Sequence, residues 1–270
     1  MSLATNAGPF KLFELEITGL GIKPTRFLHI SDIHFAPGQN RKAGFLKELA
    51  ELKPDVVVNT GDNLGHKGSV SPLLIAIDPL LEFPGVFVNG SNDYRSPRPK
   101  NPLSYLTGPS KVTTDRNDLD TARMMGEFEG AGWLNLNNAS GSLNVAGNKL
   151  DFLGVDDPHE NLDRMSELEK AAGFAIGVAH APYRRVIDGF LGLGAGLMFA
   201  GHTHGGQVCL PGSKAIITNC DLPREFAQGI SAWSLDSQNA YLHVSGGIGA
   251  SIYSPIRVFC PPSATLLTVS

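Results

Sequence analysis

Cysteine is scarce in this sequence. The chain of 270 residues has three cysteines, Cys209, Cys220 and Cys260, an odd number without the close spacing of a metal-binding motif. Disulfide frameworks pair an even number of cysteines, and structural zinc sites place theirs a few residues apart. The sequence therefore excludes a disulfide scaffold and a cysteine-based metal site, and it favours a reducing compartment.

Long apolar runs are also missing. No stretch approaches the roughly 18 apolar residues that a membrane-spanning helix needs, and residues 1–6 lack the basic and apolar regions of a signal peptide. The formal net charge is −4, from 22 basic and 26 acidic residues. This balance offers no electrostatic reason to bind nucleic acid or an anionic membrane. We expect a cytoplasmic protein, or a membrane-associated one if an N-terminal anchor lies outside this sequence.

Apolar segments broken by turn-forming residues are abundant. Hydrophobic residues make up 42% of the chain, which also has 31 glycines and 18 prolines. Residues 26–30, 55–59 and 85–89 are typical of buried strands, and each opens into a polar loop. Helical spacing predicts helices at residues 40–52, 71–81, 119–129 and 161–172. This alternation predicts an α/β fold with parallel strands. No repeat or linker divides it, so we predict a single domain over residues 1–270.

Polar side chains directly follow the predicted strands. In open α/β sheets, ligands gather beyond the carboxyl ends of the strands. The candidate site residues at these ends are Asp32, His34, Asp62, Ser91, Asn92, Asp93, His180, His202 and His204. Burying such groups without partners is costly. Asp62 and Asp93 are also candidates for helix N-caps, but capping does not account for the whole set.

Two closely spaced histidines form the strongest single signal. The stretch Gly-His-Thr-His-Gly-Gly-Gln at residues 201–207 follows an apolar run at residues 196–200. Residues two apart in an extended chain point the same way, so the imidazoles of His202 and His204 can converge. Neutral imidazole binds zinc, iron and similar ions. Alone, the pair does not distinguish a metal site from a polar loop.

The complete donor set has more ligands than one metal ion needs. Aspartate, histidine and amide donors in this number favour two divalent ions that share a carboxylate. Metal binding lowers the pKa of water from about 15.7 to about 7, which provides hydroxide at neutral pH. Phosphate ester hydrolysis is among the slowest uncatalysed reactions and gains most from such a nucleophile. The residues therefore predict a dinuclear, metal-dependent phosphohydrolase.

The motifs occur in the order found in calcineurin-like metallophosphoesterases, which this chain resembles. They are Asp32-x-His34, Gly61-Asp62-Asn63, Gly90 to Asp93, Ala179-His180-Ala181-Pro182 and Gly201-His202-x-His204. The Gly-His-Thr-His-Gly-Gly-Gln form, with Ile256-Arg257 and Pro261-Pro262, is similar to a bacterial, often membrane-associated branch. The resemblance implies a four-layer α/β/β/α sandwich with two central mixed β-sheets. It also implies cleavage of a phosphoester or pyrophosphate bond in a phosphorylated small-molecule or lipid-linked substrate, and it allows peripheral membrane association.

The resemblance also implies a ligand for each ion. One ion would be held by Asp32, His34 and His204. The other would be held by His180, His202 and an amide, with Asp62 bridging the two. The family uses manganese, iron or zinc at such sites, and the residues alone do not choose among them. The residues expected to take part in catalysis are Asp62, Asn92, Asp93 and His180.

One motif departs from the family pattern. The family has Gly-Asn-His-Asp or Gly-Asn-His-Glu where this chain has Gly-Ser-Asn-Asp at residues 90–93. An ungapped alignment places Ser91 at the amide position and Asn92 at the histidine. A shift by one residue keeps Asn92 as the amide and places Asp93 at the histidine. We favour Asn92 as the ligand, because a neutral hydroxyl is a poor metal donor beside an amide oxygen.

In either alignment, the histidine that assists the leaving group is missing. General acid–base help is worth about 10²–10⁴-fold, so we expect activity mainly on substrates with good leaving groups. His66 could substitute, although it also fits a surface position. The alternative function is a metal-binding protein with lost or weak catalysis that acts in binding or regulation. Residues 95–116 are either a basic lid over an anionic substrate or a solvated surface loop.

Overall fold

The computed structural model describes residues 9–97 and 118–270. Nearly all of the predicted lid at residues 95–116 lies outside the described residues. The strands are β1 (Lys11–Ile17), β2 (Thr25–Ile30), β3 (Val56–Asn59), β4 (Gly85–Phe87), β5 (Leu134–Asn135), β6 (Ala139–Val145), β7 (Asn148–Gly154), β8 (Ala175–Val178), β9 (Ala195–Ala200), β10 (Cys209–Leu210), β11 (Lys214–Ala215), β12 (Gly229–Leu235), β13 (Gln238–Val244) and β14 (Ser263–Val269). The α-helices are α1 (Asn40–Glu48), α2 (Val70–Ile77), α3 (Ser91–Tyr94), α4 (Thr121–Gly130) and α5 (Arg184–Gly192).

Two six-stranded mixed sheets form the centre of the fold. The first has the strand order β1-β14-β2-β3-β4-β5, and the second has the order β12-β13-β9-β8-β7-β6. Strands β2, β3, β4 and β5 run parallel in the first sheet, and β7, β8, β9 and β13 run parallel in the second. Antiparallel neighbours extend each sheet, such as β2 with β14 and β7 with β6. The parallel centres are those expected from the alternation of strand and helix in the sequence.

Alternate residues of the central strands pack into different apolar layers. In β3, Val57 packs with the layer under α1, α2 and α4, while Val56 and Val58 face the layer between the sheets. In β9, Met198 packs against the layer under α5, while Leu197 faces the first sheet. A strand buried on both faces in this way requires a continuous apolar run. The architecture is therefore the predicted four-layer α/β/β/α sandwich.

The predicted helices form where an apolar stripe has a sheet to cover. Residues 40–52 form α1 and a following 3₁₀ turn, and the predictions for residues 71–81 and 119–129 correspond to α2 and α4. The helix predicted at residues 161–172 is wrong, because this segment has only a 3₁₀ turn, Met165–Glu167. Leu168 is its one buried hydrophobic residue. A polar segment with one apolar anchor gains too little from packing to hold a regular helix.

A buried histidine pair lies in the layer between the sheets. Nδ1 of His29 and Nδ1 of His243 are 2.7 Å apart, and Nε2 of His29 is 2.9 Å from the hydroxyl of Thr60. Both rings make edge-to-face contacts with the ring of Phe199. Their hydrogen bonds satisfy them in the core, so the pair has a structural role. Among the described residues, the helices are all too short or too polar to span a bilayer.

Candidate metal centre

Five strands bring the candidate site residues to one edge shared by the two sheets. The first sheet contributes the loops after β2, β3 and β4, and the second contributes those after β8 and β9. The two groups of loops contact each other directly, since the backbone N–H of His202 donates a 3.0 Å hydrogen bond to Oδ2 of Asp32. Residues far apart in the sequence thus meet where parallel strands end, as expected for an α/β fold.

The first donor set consists of Asp32, His34 and His204. One ligand atom of each lies within 4.8 Å of the others. Nε2 of His204 is 3.6 Å from Oδ1 of Asp32, and the Nε2 atoms of His34 and His204 are 3.3 Å apart. Asp32 is fully buried and His34 nearly so. A carboxylate and two imidazoles converging at these distances form a donor set suited to a transition metal or zinc.

We use the term second donor set for the residues predicted to hold the second ion, which are His180, His202 and Asn92. Nδ1 of His202 is 3.3 Å from Nε2 of His180. The side-chain amide of Asn92 donates a 2.7 Å hydrogen bond to Oδ2 of Asp62. The hydroxyl of Ser91 is 3.5 Å from the same amide. Of the two residues left open by the sequence, Asn92 is therefore the one whose side chain contacts Asp62, although its role as a ligand stays a prediction.

Asp62 lies between the two donor sets. Its Oδ2 atom is 3.5 Å from Nε2 of His34 and 3.5 Å from Nε2 of His180. Asp32 is close to both sides as well, because it also forms a compact group with Asp62 and His180. A carboxylate in this position has one histidine from each set within reach of the same oxygen, which is the arrangement that a bridging ligand requires.

The backbone is left-handed at most of the predicted ligands. The φ angles are 49° at Asp32, 43° at His34, 54° at Asp62, 68° at His202 and 49° at His204. Non-glycine residues rarely adopt positive φ, although aspartate and histidine tolerate it better than most. Strain of this kind persists where surrounding structure imposes it, and it is concentrated at functional sites. Here it turns side chains from successive loops toward one point.

Two glycines allow the loops to approach the ligands. A Cβ atom at position 90 would collide with Oδ1 of Asp62 and would lie 2.8 Å from the ring of His180. A Cβ atom at position 201 would collide with the hydroxyl of Ser31 and would lie 2.6 Å from Oδ2 of Asp32. These contacts leave no room for a side chain. The glycines of both motifs are thus needed for close packing around the carboxylates.

Asp93 is engaged with backbone groups. Its carboxylate accepts hydrogen bonds from the backbone N–H groups of Gly90, Asp62, Asn63 and Leu64, at 3.0, 2.8, 2.7 and 3.2 Å. The side chain is fully buried. This geometry places Asp93 behind the Asp62 loop, which it ties to α3. The carboxylate does not face the donor sets as a group that assists a leaving group would, which is the position that the alignment shifted by one residue gave to Asp93.

Other residues contact the ligands although they lie outside the motifs that predicted the site. Nδ1 of His180 lies 2.7 Å from the carbonyl oxygen of Thr60, and Ser31 donates a 2.6 Å hydrogen bond to Oδ2 of Asp32. The guanidinium of Arg257 lies 3.0 Å from Nδ1 of His204 and donates to the carbonyl oxygen of Gly246 at 2.7 Å. Arg257 lies in the loop between β13 and β14, and the sequence offered only the Ile-Arg pair as a hint of its importance.

His66 differs from the predicted ligands because it lies at the surface. Its side chain is exposed, and its Nδ1 accepts a 3.0 Å hydrogen bond from the backbone N–H of Gly68. His66 therefore occupies the surface position that the sequence allowed.

The side-chain amide of Asn63 bridges Asn59 and Asp93.

Burial and charge set the protonation states of the site. Burial lowers the pKa of His34 to about 4, and it lowers the pKa values of His202 and His204 well below the ordinary value. Burial would also lower the pKa of His180, but the carboxylates of Asp62, Asp32 and Asp157 raise it to about 9. The surroundings of His180 thus favour a positive charge, while the other imidazoles are neutral donors.

Burial would raise the pKa of Asp62, but the charges of His180 and His34 and the hydrogen bonds of Asn92 hold it below the usual range. The ionised carboxylate is thus available as a metal donor. Oδ1 of Asp32 is buried and has no hydrogen-bond partner among the described residues. An orphaned carboxylate oxygen beside neutral imidazoles is costly unless a cation completes it. The residues therefore fit bound metal ions.

Comparison with known proteins identifies related sequences. The profile of a family described as calcineurin-like phosphoesterase matches residues 25–206. A Caenorhabditis elegans protein whose name describes it as a metallophosphoesterase is 26% identical over 249 residues, covering 85% of this chain and 45% of the relative. This chain therefore spans less than half the length of that relative. The matched family region ends at the second glycine after His204.

Similar solved structures include a 5′-nucleotidase precursor and a dimetal phosphatase. A 5′-nucleotidase precursor from Thermus thermophilus is similar with a TM-score of 0.48 and 10% identity, over 92% of this chain and 54% of that one. A dimetal phosphatase from Danio rerio is similar with a TM-score of 0.42 and 12% identity, over 83% of this chain and 87% of that one.

Proposed function

Since more than half of its residues match the family profile, the chain belongs to the calcineurin-like phosphoesterase family, and we propose that it is a dinuclear metal-dependent phosphohydrolase. It cleaves a phosphoester or pyrophosphate bond. Asp32, His34 and His204 hold one divalent ion, and His180, His202 and Asn92 hold the other. Manganese, iron and zinc all suit this mixture of oxygen and nitrogen donors.

The position of Asp62 carries this proposal. Its Oδ2 atom is equally distant, at 3.5 Å, from one histidine of each donor set. A carboxylate that served one ion alone would need contact with only one set. Bound as a pair, the ions would lower the pKa of a coordinated water and neutralise phosphoryl oxygens in the transition state.

The chain's own residues orient the donors for this chemistry. The Thr60 carbonyl accepts from Nδ1 of His180, which fixes the tautomer with Nε2 free to bind metal. Asp93 fixes the backbone on either side of Asp62 through its hydrogen bonds. Arg257 supplies the guanidinium closest to the first donor set and suits a phosphate oxygen by its charge and geometry.

A specific observation favours a second candidate, a metal-binding protein with weak or lost catalysis. The motif at residues 90–93 has no histidine, and the serine and amide side chains at positions 91 and 92 do not protonate an alkoxide. A binding or regulatory protein would retain the metal ions and lack turnover. The two candidates differ in whether the chemical step occurs at all.

An exposed apolar surface beside the centre favours a substrate with an apolar tail. We define the apolar rim as the exposed side chains of Leu210, Tyr253, Ile256, Val258 and Phe259. The two segments of the rim are joined, because the backbone N–H of Cys209 donates a 2.9 Å hydrogen bond to the carbonyl oxygen of Val258. Contiguous exposed apolar residues often mark a binding surface. Arg257, between two rim residues, contacts His204 directly.

Hydrolysis is tested with metal-loaded and chelated protein. We expect manganese-loaded protein to hydrolyse an activated aryl phosphate ester or diester, and chelation to abolish that turnover. Metal analysis should find two ions per chain. Two bound ions without turnover of even the activated ester would favour the binding protein. Fewer than two ions would contradict the dinuclear centre.

The rim is tested with substrate pairs that differ only in tail length. The double variant Ile256→Ser/Phe259→Ser should lower kcat/KM for a long-chain pyrophosphate by about tenfold and leave the short-chain analogue unchanged. Burying apolar carbon is favourable by about 0.8 kcal/mol per CH₂ group, so two lost side chains suffice for this effect. Ile75→Ser, on α2, is the matched control because Ile75 is 65% exposed. Equal loss for both substrates would argue against a role in tail binding.

A further inference from the structure

The loop after β7 lies beside the loops that carry the second donor set. Strands β7, β8 and β9 are neighbours and run parallel, with Gly154 paired to Val178 and Val178 paired to Phe199. His180 comes two residues after Val178, and His202 comes three residues after Phe199. Asp157 comes three residues after Gly154. The topology thus delivers a carboxylate to the edge of the sheet that also carries His180 and His202.

Asp157 has an oxygen that the fold does not satisfy. Its side chain is fully buried, and its Oδ1 accepts a 2.9 Å hydrogen bond from the backbone N–H of His159. Its Oδ2 has no hydrogen-bond partner among the described residues. Within that part of the chain, Asp32 is the one other carboxylate with such a buried oxygen, and Asp32 belongs to the first donor set. Capping of the 3₁₀ turn Pro158–Glu160 accounts for one oxygen of Asp157 and leaves the other unexplained.

The turn that holds Asp157 packs against the second donor set. The ring of His159 lies 4.6 Å from the ring of His202, measured between centroids. Nδ1 of His159 is 3.0 Å from the hydroxyl of Tyr183. The turn is therefore fixed on the side of the centre where His202 lies.

Burial and neighbouring charges act on the carboxylate of Asp157. Burial raises the pKa of Asp157 to about 7, His180 opposes this shift, and Asp62 and Glu160 add to it. A buried carboxylate without a full set of partners is retained at a cost, and ligation of a cation is a common reason for that cost.

We propose that Asp157 is a further donor to the second metal ion, on the side of His180 and His202. The inference rests on the proposed dinuclear centre, because it adds a ligand to one of its ions. It also gives the second ion a carboxylate of its own in a chain where the motif that supplies the amide has changed. Oxygen donors from carboxylates suit manganese in particular.

The test measures the binding of Mn²⁺ to the metal-free full chain by calorimetry. Asp157→Asn keeps the shape of the side chain and the oxygen that caps the turn, and it removes the charge. We expect the first ion to bind as in the wild type and the second to bind about 10–100-fold more weakly. Asp151→Asn is the matched control, since Asp151 lies on β7, the strand that precedes the loop of Asp157. Asp151 is paired with Ser142 and Lys149, so its substitution should leave both affinities unchanged.

The melting temperature of the metal-free protein separates a ligand from a structural cap. A ligand carboxylate is a liability without its ion, so metal-free Asp157→Asn should melt at the wild-type temperature or higher at pH 8. Its stabilisation by Mn²⁺ should be smaller than that of the wild type. Asp157→Ser retains a capping oxygen and should show the same loss of the second ion if the asparagine variant does not fold.

The outcomes distinguish this inference from the proposed function. Unchanged affinity for two ions in Asp157→Asn would overturn the role of Asp157 and leave the dinuclear centre intact. Lower thermal stability of the metal-free variant, with unchanged metal binding, would assign Asp157 to capping alone. If the wild type bound fewer than two ions, the dinuclear centre would fail, and the inference would fail with it.

Discussion

The two donor sets differ in how the chain builds them. The first set combines two residues from one short loop, Asp32 and His34, with His204 from the opposite sheet. The second set combines His180 and His202 with Asn92, which comes from a short helix after β4. All three members of the first set have left-handed backbone, whereas among the second set only His202 does.

The difference shows where the chain has freedom to change. The first set is fixed by strained loops and by the close approach of Gly201 to Asp32, so few substitutions are compatible with it. The second set includes a position where the sequence departs from its family, at residues 91 and 92. The nearby carboxylate of Asp157 lies on that same side. We therefore expect variation in metal binding and substrate preference to arise mainly at the second set.

The largest expected effect comes from the residue shared by both sets. Asp62→Asn preserves the shape of the side chain but removes the charge between His34 and His180. We expect turnover to fall by about 10³-fold or more, equivalent to roughly 4 kcal/mol of barrier, and both ions to bind more weakly. Steady-state kinetics and metal analysis measure the two effects. Asp78→Asn, at an exposed position, is the control; wild-type rates for Asp62→Asn would remove the bridging role.

The first donor set could be predicted from local patterns. Asp32 and His34 follow an apolar strand, and the Gly-His-Thr-His stretch follows another, so each motif carries its own structural context. Parallel topology then places both at one edge. The alternation of strands and helices predicted the parallel α/β centre for the same reason, because periodicity records which faces are buried, whereas the four-layer sandwich was implied by the resemblance to the family.

Features that depend on contacts between distant loops could not be predicted. The unpartnered oxygen of Asp157 is visible only once the neighbours of the turn are known, and its sequence context is that of an ordinary turn. Asp93 is similar, because its role depends on four backbone N–H groups, three of them from the Asp62 loop. The helix expected at residues 161–172 failed for the opposite reason, since local propensity was present and a surface to pack against was not.

The next largest effect tests whether close packing around Asp62 is needed. Gly90→Ala forces a Cβ atom onto the carboxylate of Asp62 and against the ring of His180. Displacement of these groups by about 1 Å should lower kcat/KM by on the order of 100-fold. Gly126→Ala in α4 is the control, because open space surrounds that position; it should retain activity and gain about 0.5–1 kcal/mol of stability.

The metal affinities of Gly90→Ala would show which side chain the added Cβ atom displaces. If Gly90→Ala weakens the second ion and spares the first, displacement of His180 dominates. If it weakens both, displacement of Asp62 dominates, since Asp62 contacts both sets. Metal affinities equal to those of the wild type would contradict the packing argument.

The smallest effect resolves the choice between Ser91 and Asn92. The Asn92 amide contacts Asp62 at 2.7 Å, whereas the Ser91 hydroxyl is 3.5 Å from that amide. Asn92→Ala should therefore weaken the second ion by about tenfold, at the low end of the effect of losing a group near a metal. The first ion should bind as before, because its donors remain in place. Ser91→Ala should change neither affinity, and titration of each metal-free variant with Mn²⁺ measures the difference.

The opposite result for Ser91 and Asn92 would change which residue is assigned to the second donor set. If Ser91→Ala weakened the second ion and Asn92→Ala did not, the ungapped alignment would hold, and Asn92 would stand where the family has its histidine. In that case Asn92→His should speed hydrolysis of esters with poor leaving groups and leave activated esters unchanged, because proton donation matters only when the leaving group needs it. The backbone N–H of Asn92, which donates to Oδ1 of Asp62 at 2.8 Å, is present in every one of these variants. Any change therefore reports on the side chain.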